Sequence, residues 1–567
     1  TAVATADEWP TYRHDLLRSA ITAERLELPL QKLWQYTAAQ RPAPAWPEPV
    51  KTLNRLDFDY APHPIVADGL VFFGSSADDS LRALDAGTGA LRWRFTAGGP
   101  IRFAPQVTDG LLYFGSDDGF IYCLEAGSGR MRWRFRGAPC DEQIIGNGRM
   151  ISRWPIRTGV LVRDGVCYAA AGMWPSEGIF LYALNAADGR EIWCDGTSGT
   201  VELNAAHGGE YALSGVCPQG ALLAAGDVLL APTGRCIPAG YDMRTGELLY
   251  YKLGENNGSG SAWVTVDGDH FYTFAKSFYS PLALAAFDVR SCRRNRKLTQ
   301  VKVPQISRFD RTLNRYSYSV FEDGRVSVLV EEGRIVARKA YGLAKAGELL
   351  IVGQEGRVEI CRGDAKEPSW RAEVDGEARE LAVADGCLYV ATDRGQITCF
   401  GRGTARRPVA ALPARSTTQQ PRPALPTLLS DRGMAQGYAL VVGDGAQAVA
   451  QELTEHTRLN VIVPMTDGDA VAESRARWLD RTCFYGTRVH LVHVTDLAQM
   501  PFPACFANAV IVSGMERGLS WRELYRVLRP YGGVLAAPNL ATNVTAAFAQ
   551  AAVPQSEVTD SAVGPIV

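Results

Sequence analysis

The sequence predicts an all-β propeller of eight blades, or seven if one eroded unit is not counted, followed by a smaller α/β domain. Three observations predict it. A phrase of two turns, two short apolar strands and a tryptophan recurs along residues 9 to 401. A proline-rich stretch then breaks the pattern, and beyond it strand-like runs alternate with helix-like ones.

The phrase first reads Asp68-Gly69, Leu70 to Gly74, then Arg82 to Gly89, closing on Trp93. It returns as Asp109-Gly110, Leu111 to Gly115, then Tyr122 to Gly129, closing on Trp133, 40 residues after Trp93. That period is the length of a four-stranded blade. Asp-Gly suits a type I′ hairpin turn, which needs positive φ at both central residues. Leu70-Val71-Phe72-Phe73 does not alternate, as expected of a strand buried on both faces. In the second turn Gly87 and Gly89 can take positive φ while the Asp85 carboxylate accepts from turn amides. Trp93 starts the outermost strand and fills the gap to the next blade.

Drifted copies follow at Asp164-Gly165 with Trp193, and at Gly226-Asp227 with Tyr250 in the tryptophan place. Later copies start at Asp267-Gly268, in the eroded stretch Arg308 to Lys339, and at Gly347 with Trp370. The last copy, from Asp385-Gly386, stops at Gly401 without a tryptophan. Leu30 to Trp34 is expected to supply its missing strand, closing the ring and leaving no free edge.

The phrase Ala83-x-Asp85-x-x-Thr88-Gly89-x-x-x-Trp93 resembles the tryptophan-docking motif of the quinoprotein (PQQ-like) propeller family. That family holds both pyrroloquinoline-quinone alcohol dehydrogenases and a non-enzymatic outer-membrane assembly lipoprotein. The resemblance implies a vicinal Cys-Cys pair and a calcium ion in the enzymes. This chain has no adjacent cysteines and no acidic cluster at the corresponding place, so PQQ is not expected.

Composition narrows the function classes. With 59 basic and 61 acidic side chains in 567 residues, there is no signature of nucleic-acid binding. No run of apolar residues is long enough to span a membrane. Thr1 is not an initiator methionine, so a leader is expected to have been removed, placing the protein in the periplasm or outside the cell. Of 12 cysteines, Cys123, Cys361 and Cys399 share one repeat position, and Cys167 and Cys387 share another; these read as small buried hydrophobes. Cys140, Cys194, Cys217, Cys236 and Cys292 lie outside the pattern, and a pair among them stays open. No Cys-x-x-Cys occurs, and His490 and His493 point to opposite faces of a strand, so no metal site is expected.

Function is sought where the repeat lengthens. The Asp-Gly spacing grows from 41 to 55 and then to about 62 residues. The insertions carry Arg149, Arg153, Trp154 and Arg157, then Trp174 and Glu177, then Arg235. Arginines and tryptophans on proline-containing loops can bind a carboxylate, a sulfate or a sugar ring through forked hydrogen bonds and stacking. In the alternative, the arginines pair with local carboxylates and the tryptophans cover blade seams.

Residues 1–403 are thus read as propeller and 404–435 as a proline-rich linker. Residues 436–567 are read as a Rossmann-like domain whose strand–helix alternation means a parallel doubly wound sheet. Ser520-Trp521-Arg522-Glu523 reads as a capping box opening the last helix. This segment resembles the Rossmann-like S-adenosylmethionine-dependent methyltransferases, best in Leu524 to Leu535. The resemblance implies that Gly443, Gly445 and Asp496 would contact the cofactor. The chain departs from that pattern in having two glycines rather than three, and Val463-Pro464-Met465 where an acid would bind the ribose. About 30 residues follow the fifth strand, too few to complete the sheet comfortably, so an exposed edge needing a partner is expected.

The whole arrangement resembles quinoprotein-repeat proteins of planctomycete-type bacteria, in which a second propeller-like region follows. It implies a fragment, a processed product, or a subunit completed by a second polypeptide. The reading favoured is a non-catalytic binding or assembly scaffold with a protein partner. The alternatives are an S-adenosylmethionine-dependent methyltransferase with a propeller targeting module and, more weakly, a quinone-dependent dehydrogenase.

Overall fold

The computed structural model describes residues 8–46, 58–204, 211–234, 236–252, 259–275, 283–299, 326–363, 365, 367–403, 424–538, 559–561 and 564–566. The chain divides into two units, residues 1–139 with 153–411, and residues 140–152 with 412–567.

In the first unit the repeat becomes sheets. Ile65–Ala67, Leu70–Gly74, Ser80–Asp85 and Leu91–Thr96 form a four-stranded antiparallel sheet in simple order, and sheets beginning at Gln106, Leu161 and Leu223 repeat it. A three-stranded sheet from Ser259 and a hairpin of Val326–Glu331 with Arg334–Lys339 follow. Asp323-Gly324 lies outside the described residues. A seven-stranded sheet then runs from Ile21–Thr22 through Gly342–Ala346 and on to Gln396–Gly401, with Gln31–Thr37 antiparallel at its far edge. The Asp-Gly turns have the backbone their chemistry predicts: φ is 52° and 70° at Asp68 and Gly69, and 53° and 71° at Asp109 and Gly110. Leu70–Gly74 is buried from Val71 onward on both faces.

The tryptophan of each phrase locks onto the next sheet. Trp93 Nε1 donates to Ala126 O (2.9 Å), Trp133 to Ala186 O (2.9 Å) and Trp193 to Met243 O (3.1 Å). Trp34, on the strand beside Gln396–Gly401, donates to Ala86 O (2.8 Å) of the first sheet. Each indole lies flat on the turn glycine three residues beyond its acceptor. A Cβ on Gly89, Gly129, Gly189 or Gly246 would stand 2.6–2.7 Å from the ring of the preceding tryptophan. Tyr250 replaces tryptophan with a hydroxyl that reaches Val289 O (2.5 Å). The glycine is therefore needed twice over, for positive φ and for the neighbour's ring.

The second unit is built on a parallel sheet. Its strands are β1 (Gln436–Val442), β2 (Arg458–Met465), β3 (Val489–His493), β4 (Ala509–Val512) and β5 (Val534–Ala536), in the order β3-β2-β1-β4-β5. One face, with Val441, Val461 and Leu491, is covered by helices α1 (Ala424–Asp431), α2 (Ala446–His456) and α3 (Gly468–Arg481). The other, with Leu440, Ile462 and Val510, is covered by α4 (Trp521–Val527) and by Met500, Phe502 and Phe506.

Four features differ from the sequence reading. The hairpin Gln143–Gly146/Arg149–Ser152, read as a propeller insertion, packs in the second unit: Met150 joins the Ile462 face and Gln143 N donates to Pro501 O (2.9 Å). Helix α1 falls within the stretch read as linker; Pro426 is tolerated in its first turn, and Leu425 and Leu429 are buried. Residues 404–423 lie outside the described residues. The capping box is not formed: Ser520 makes no side-chain cap bond, and buried Glu523 turns inward to accept from Met500 N (2.8 Å) and to pair with Arg526 (2.6 Å). Finally, β5 is not the edge: the backbone of Thr559–Ser561 and Gly564–Ile566 adds an antiparallel hairpin beside it.

Candidate binding loops

Antiparallel strand order fixes where each loop emerges. In every blade the Asp-Gly turns and the tryptophan-docking turns share one end. The turns between the second and third strands share the other end with the connections to the next blade. Trp46, Arg102, Arg153–Arg157 and Trp174–Glu177 all lie in segments of this second kind.

There the inserted side chains bind one another. Arg153 pairs with Glu177 and stacks over the Trp154 ring at 5.5 Å. Trp154 is buried, and its Nε1 donates to Glu177 O (2.7 Å). Arg157 is 2% exposed and grips Asp117 with two bonds, at 2.8 and 3.0 Å. Trp174 is 50% exposed and meets Trp46 edge-on at 6.1 Å, and the Arg157 guanidinium lies over the Trp46 ring at 5.9 Å. Arg235 lies outside the described residues, and Arg149 is buried in the second unit.

Residues not singled out in the sequence complete a buried charge network. Arg102 donates to Asp117 (2.6 Å), Asp59 (2.5 Å) and Ala43 O (2.8 Å). Burial pushes the Asp117 carboxyl up, but Arg102 and Arg157 outweigh it and hold it below the usual carboxylate range. Burial prevails at Asp59 and raises it despite Arg102. Nearby, Asp78 is held at about 2: burial opposes its charge, and Arg82 at 2.5 Å outweighs burial. A cavity of ≈ 20 Å³ lined by Asp59, Ser75, Arg82 and Arg102 has room for one water-sized group. Asp117 could be recognised in advance only as one half of Asp117-Asp118; its arginine partners are 15 and 40 residues away.

The carboxylates are neutralised by arginines. Among the described residues, no group of three or more His, Cys, Asp or Glu side chains is placed to hold a metal. No disulfide joins any two of the 12 cysteines.

In the second unit Gly443 ends β1 at φ 92°, and a Cβ there would overlap the Gly514 carbonyl. Gly445 precedes α2 at φ 83° with open space around its Cβ position. Asp496 uses Oδ1 to accept from Ala498 N (2.8 Å), and Asp467 caps α3. The half-buried Met465 ends β2. His490 is buried; its burial, with Arg149 and Arg475 alongside, keeps its pKa well below the usual histidine value. These residues do not present the carboxylate that would hold a ribose.

The family model described as "Outer membrane protein assembly factor BamB" matches residues 31–206 and 77–311. The fold is a PQQ-like β-propeller, as that match and the repeated sheets establish. Similar solved structures include BamB from Moraxella catarrhalis (16% identity, 66% of this chain and 100% of that one, TM-score 0.35). A europium-containing methanol dehydrogenase (11%, 69% and 90%, 0.46) is another. A third is the quinohemoprotein alcohol dehydrogenase ADHIIG from Pseudomonas putida HK5 (13%, 76% and 85%, 0.47). No curated protein matches the chain. No helix among the described residues is long and apolar enough to cross a membrane.

Proposed function

We propose that this protein is a non-catalytic binding or assembly scaffold whose propeller presents loops to a protein partner. One observation carries the reading: the loop cations and anions are spent on each other, while Trp174 stands half exposed on a base of Trp46 and Arg157. A half-exposed aromatic side chain on a base whose guanidinium is paired with Asp117 suits protein recognition better than chemistry on a substrate. The assembly-factor family match supports the same reading, as well as a periplasmic or extracellular setting. The propeller is proposed to have eight blades, the seven-stranded sheet counting as two, with Gln31–Thr37 as the outer strand of the last.

The second unit is proposed to be a Rossmann-like domain of methyltransferase descent that serves as a docking body. A methyltransferase reading is favoured only by the β3-β2-β1-β4-β5 order and the open Gly445 turn. Calorimetric titration of the full chain with S-adenosylmethionine separates the two. Under the scaffold reading no saturable heat appears up to about 1 mM, a ceiling that corresponds to roughly 4 kcal/mol of binding. Micromolar binding lost in Asp496→Ala would sink the scaffold reading in favour of the enzyme.

A further inference from the structure

The innermost strand of a blade is an edge, and its outward amides need partners. In this chain one short segment supplies them for blade after blade. Val66 N donates to Trp9 O (2.8 Å), Val107 N to Pro10 O (2.9 Å), Ala224 N to Leu16 O (3.1 Å), Val266 N to Leu17 O (3.0 Å) and Lys345 N to Ala20 O (2.9 Å). All five donors occupy one repeat position, two residues before the two-residue loop of the first hairpin, which is Asp68-Gly69, Asp109-Gly110, Gly226-Asp227, Gly268-Asp269 and Gly347-Glu348 in turn. They belong to five different sheets, and their acceptors run in the same order as the sheets do. Eleven peptide steps, at most about 40 Å of chain, thus run past five innermost strands, the strands that line a propeller's axial channel.

From this we infer that residues 8–24 are a built-in plug that closes the end of the axial channel bearing the Asp-Gly turns. A ligand or partner that reaches the axis therefore does so from the other end, where Arg153, Trp174 and Glu177 lie. The plug is tied at both ends. The Glu8 carboxylate accepts from Asp68 N (3.2 Å) in the first sheet, and the Glu24 carboxylate accepts from Gly386 N (2.7 Å) in the last. Arg18, 1% exposed, pins its middle, donating to Leu222 O (3.0 Å), to Thr11 Oγ1 (2.7 Å) and to Tyr12 O and Asp15 O (3.1 Å each). Where the plug misses a blade, the same amide is still satisfied: Val162 N donates to Gln106 Oε1 (2.9 Å). Four plug residues, Arg13, His14, Arg18 and Ala20, have positive φ, which interrupts any strand or helix periodicity before the short strand Ile21–Thr22.

Amide hydrogen exchange on the full chain tests the plug. The five amides are expected to exchange slowly in the unsubstituted protein. Arg18→Ala should speed them by roughly tenfold or more, while Leu70–Gly74 stays slow. If Arg18→Ala does not fold, Thr11→Ala, which removes one partner of Arg18, is read in the same way. Fast exchange of the five amides in the unsubstituted chain overturns the plug. So does slow exchange that the folded variant leaves unchanged at all five.

Discussion

Gly129 of the propeller and Gly443 of the parallel-sheet unit both follow a strand at positive φ, and neither has room for a Cβ. Their neighbours differ. Gly129 faces the Trp93 ring 2.6 Å from its Cβ position, a side chain sent by the preceding blade. Gly443 faces the backbone of Gly514 at the end of the adjacent strand. In the propeller the glycine is one half of a lock between repeated units. In the parallel sheet it lets two strand ends approach. The same residue type thus reports repeat assembly in the hairpin turn of one unit and local packing in the strand-to-helix turn of the other.

Breaking the lock should have the largest effect. Trp133 is 9% exposed, touches Gly189 and shares the Ala186 carbonyl with Tyr113 Oη at 3.1 Å. Trp133→Ala should cost the propeller about 3–5 kcal/mol, read as a lowered midpoint of its own transition in denaturant. A loss under about 1 kcal/mol would mean that the blades hold together without the indole.

Gly443→Ala should come next. It combines positive φ with a backbone clash and should cost about 2–3 kcal/mol, confined to the second unit. Gly445→Ala, with the same φ sign and open space, should cost only the left-handed backbone term of about 1–2 kcal/mol. Equal losses at the two positions would show that the Gly514 contact is not what Gly443 serves.

The contrast also explains what was legible. The turns, the docking tryptophans and the strand–helix alternation of the second unit follow from patterns local to the chain. Asp68-Gly69 needs only its own two residues, and the phrase around Trp93 recurs. The plug was not legible, because Pro10 and Leu16 act through their carbonyls and any residue has one. The hairpin at Arg149–Ser152 was assigned to the propeller because sequence continuity says nothing of which core Met150 enters. Of the loop residues, Trp154 and Arg157 stand out in sequence, but their partners Glu177 and Asp117 are 23 and 40 residues away. Burial of that pairing is a tertiary fact.

Acid should separate the paired loops from the locks, which carry no charge. Asp78 is held at about 2 against an unfolded value near 3.9. Its folded pKa is depressed, so its contribution is full above about pH 4 and is lost as pH falls towards 2, an effect of about 2 kcal/mol. Asp117, also lowered by its two arginines once burial is overcome, adds in the same direction. The propeller midpoint should therefore fall across this window, and Asp78→Asn should flatten the fall. A midpoint independent of pH between 4 and 2 would contradict the pairing of Asp78 with Arg82.

The smallest effect on stability is expected at the residue proposed to matter most for binding. Trp174 is half exposed and, among the described residues, its one aromatic ring contact is with the edge of Trp46. Trp174→Ala should change the unfolding midpoint by less than about 0.5 kcal/mol. Trp154→Ala, a few residues from the same base but buried and bonded to Glu177 O, should cost about 3 kcal/mol. The pair divides the loops into a braced base and a presented tip. If Trp174→Ala destabilises the propeller as much as Trp154→Ala does, the exposed ring is a structural cover, and the scaffold reading loses the observation on which it rests.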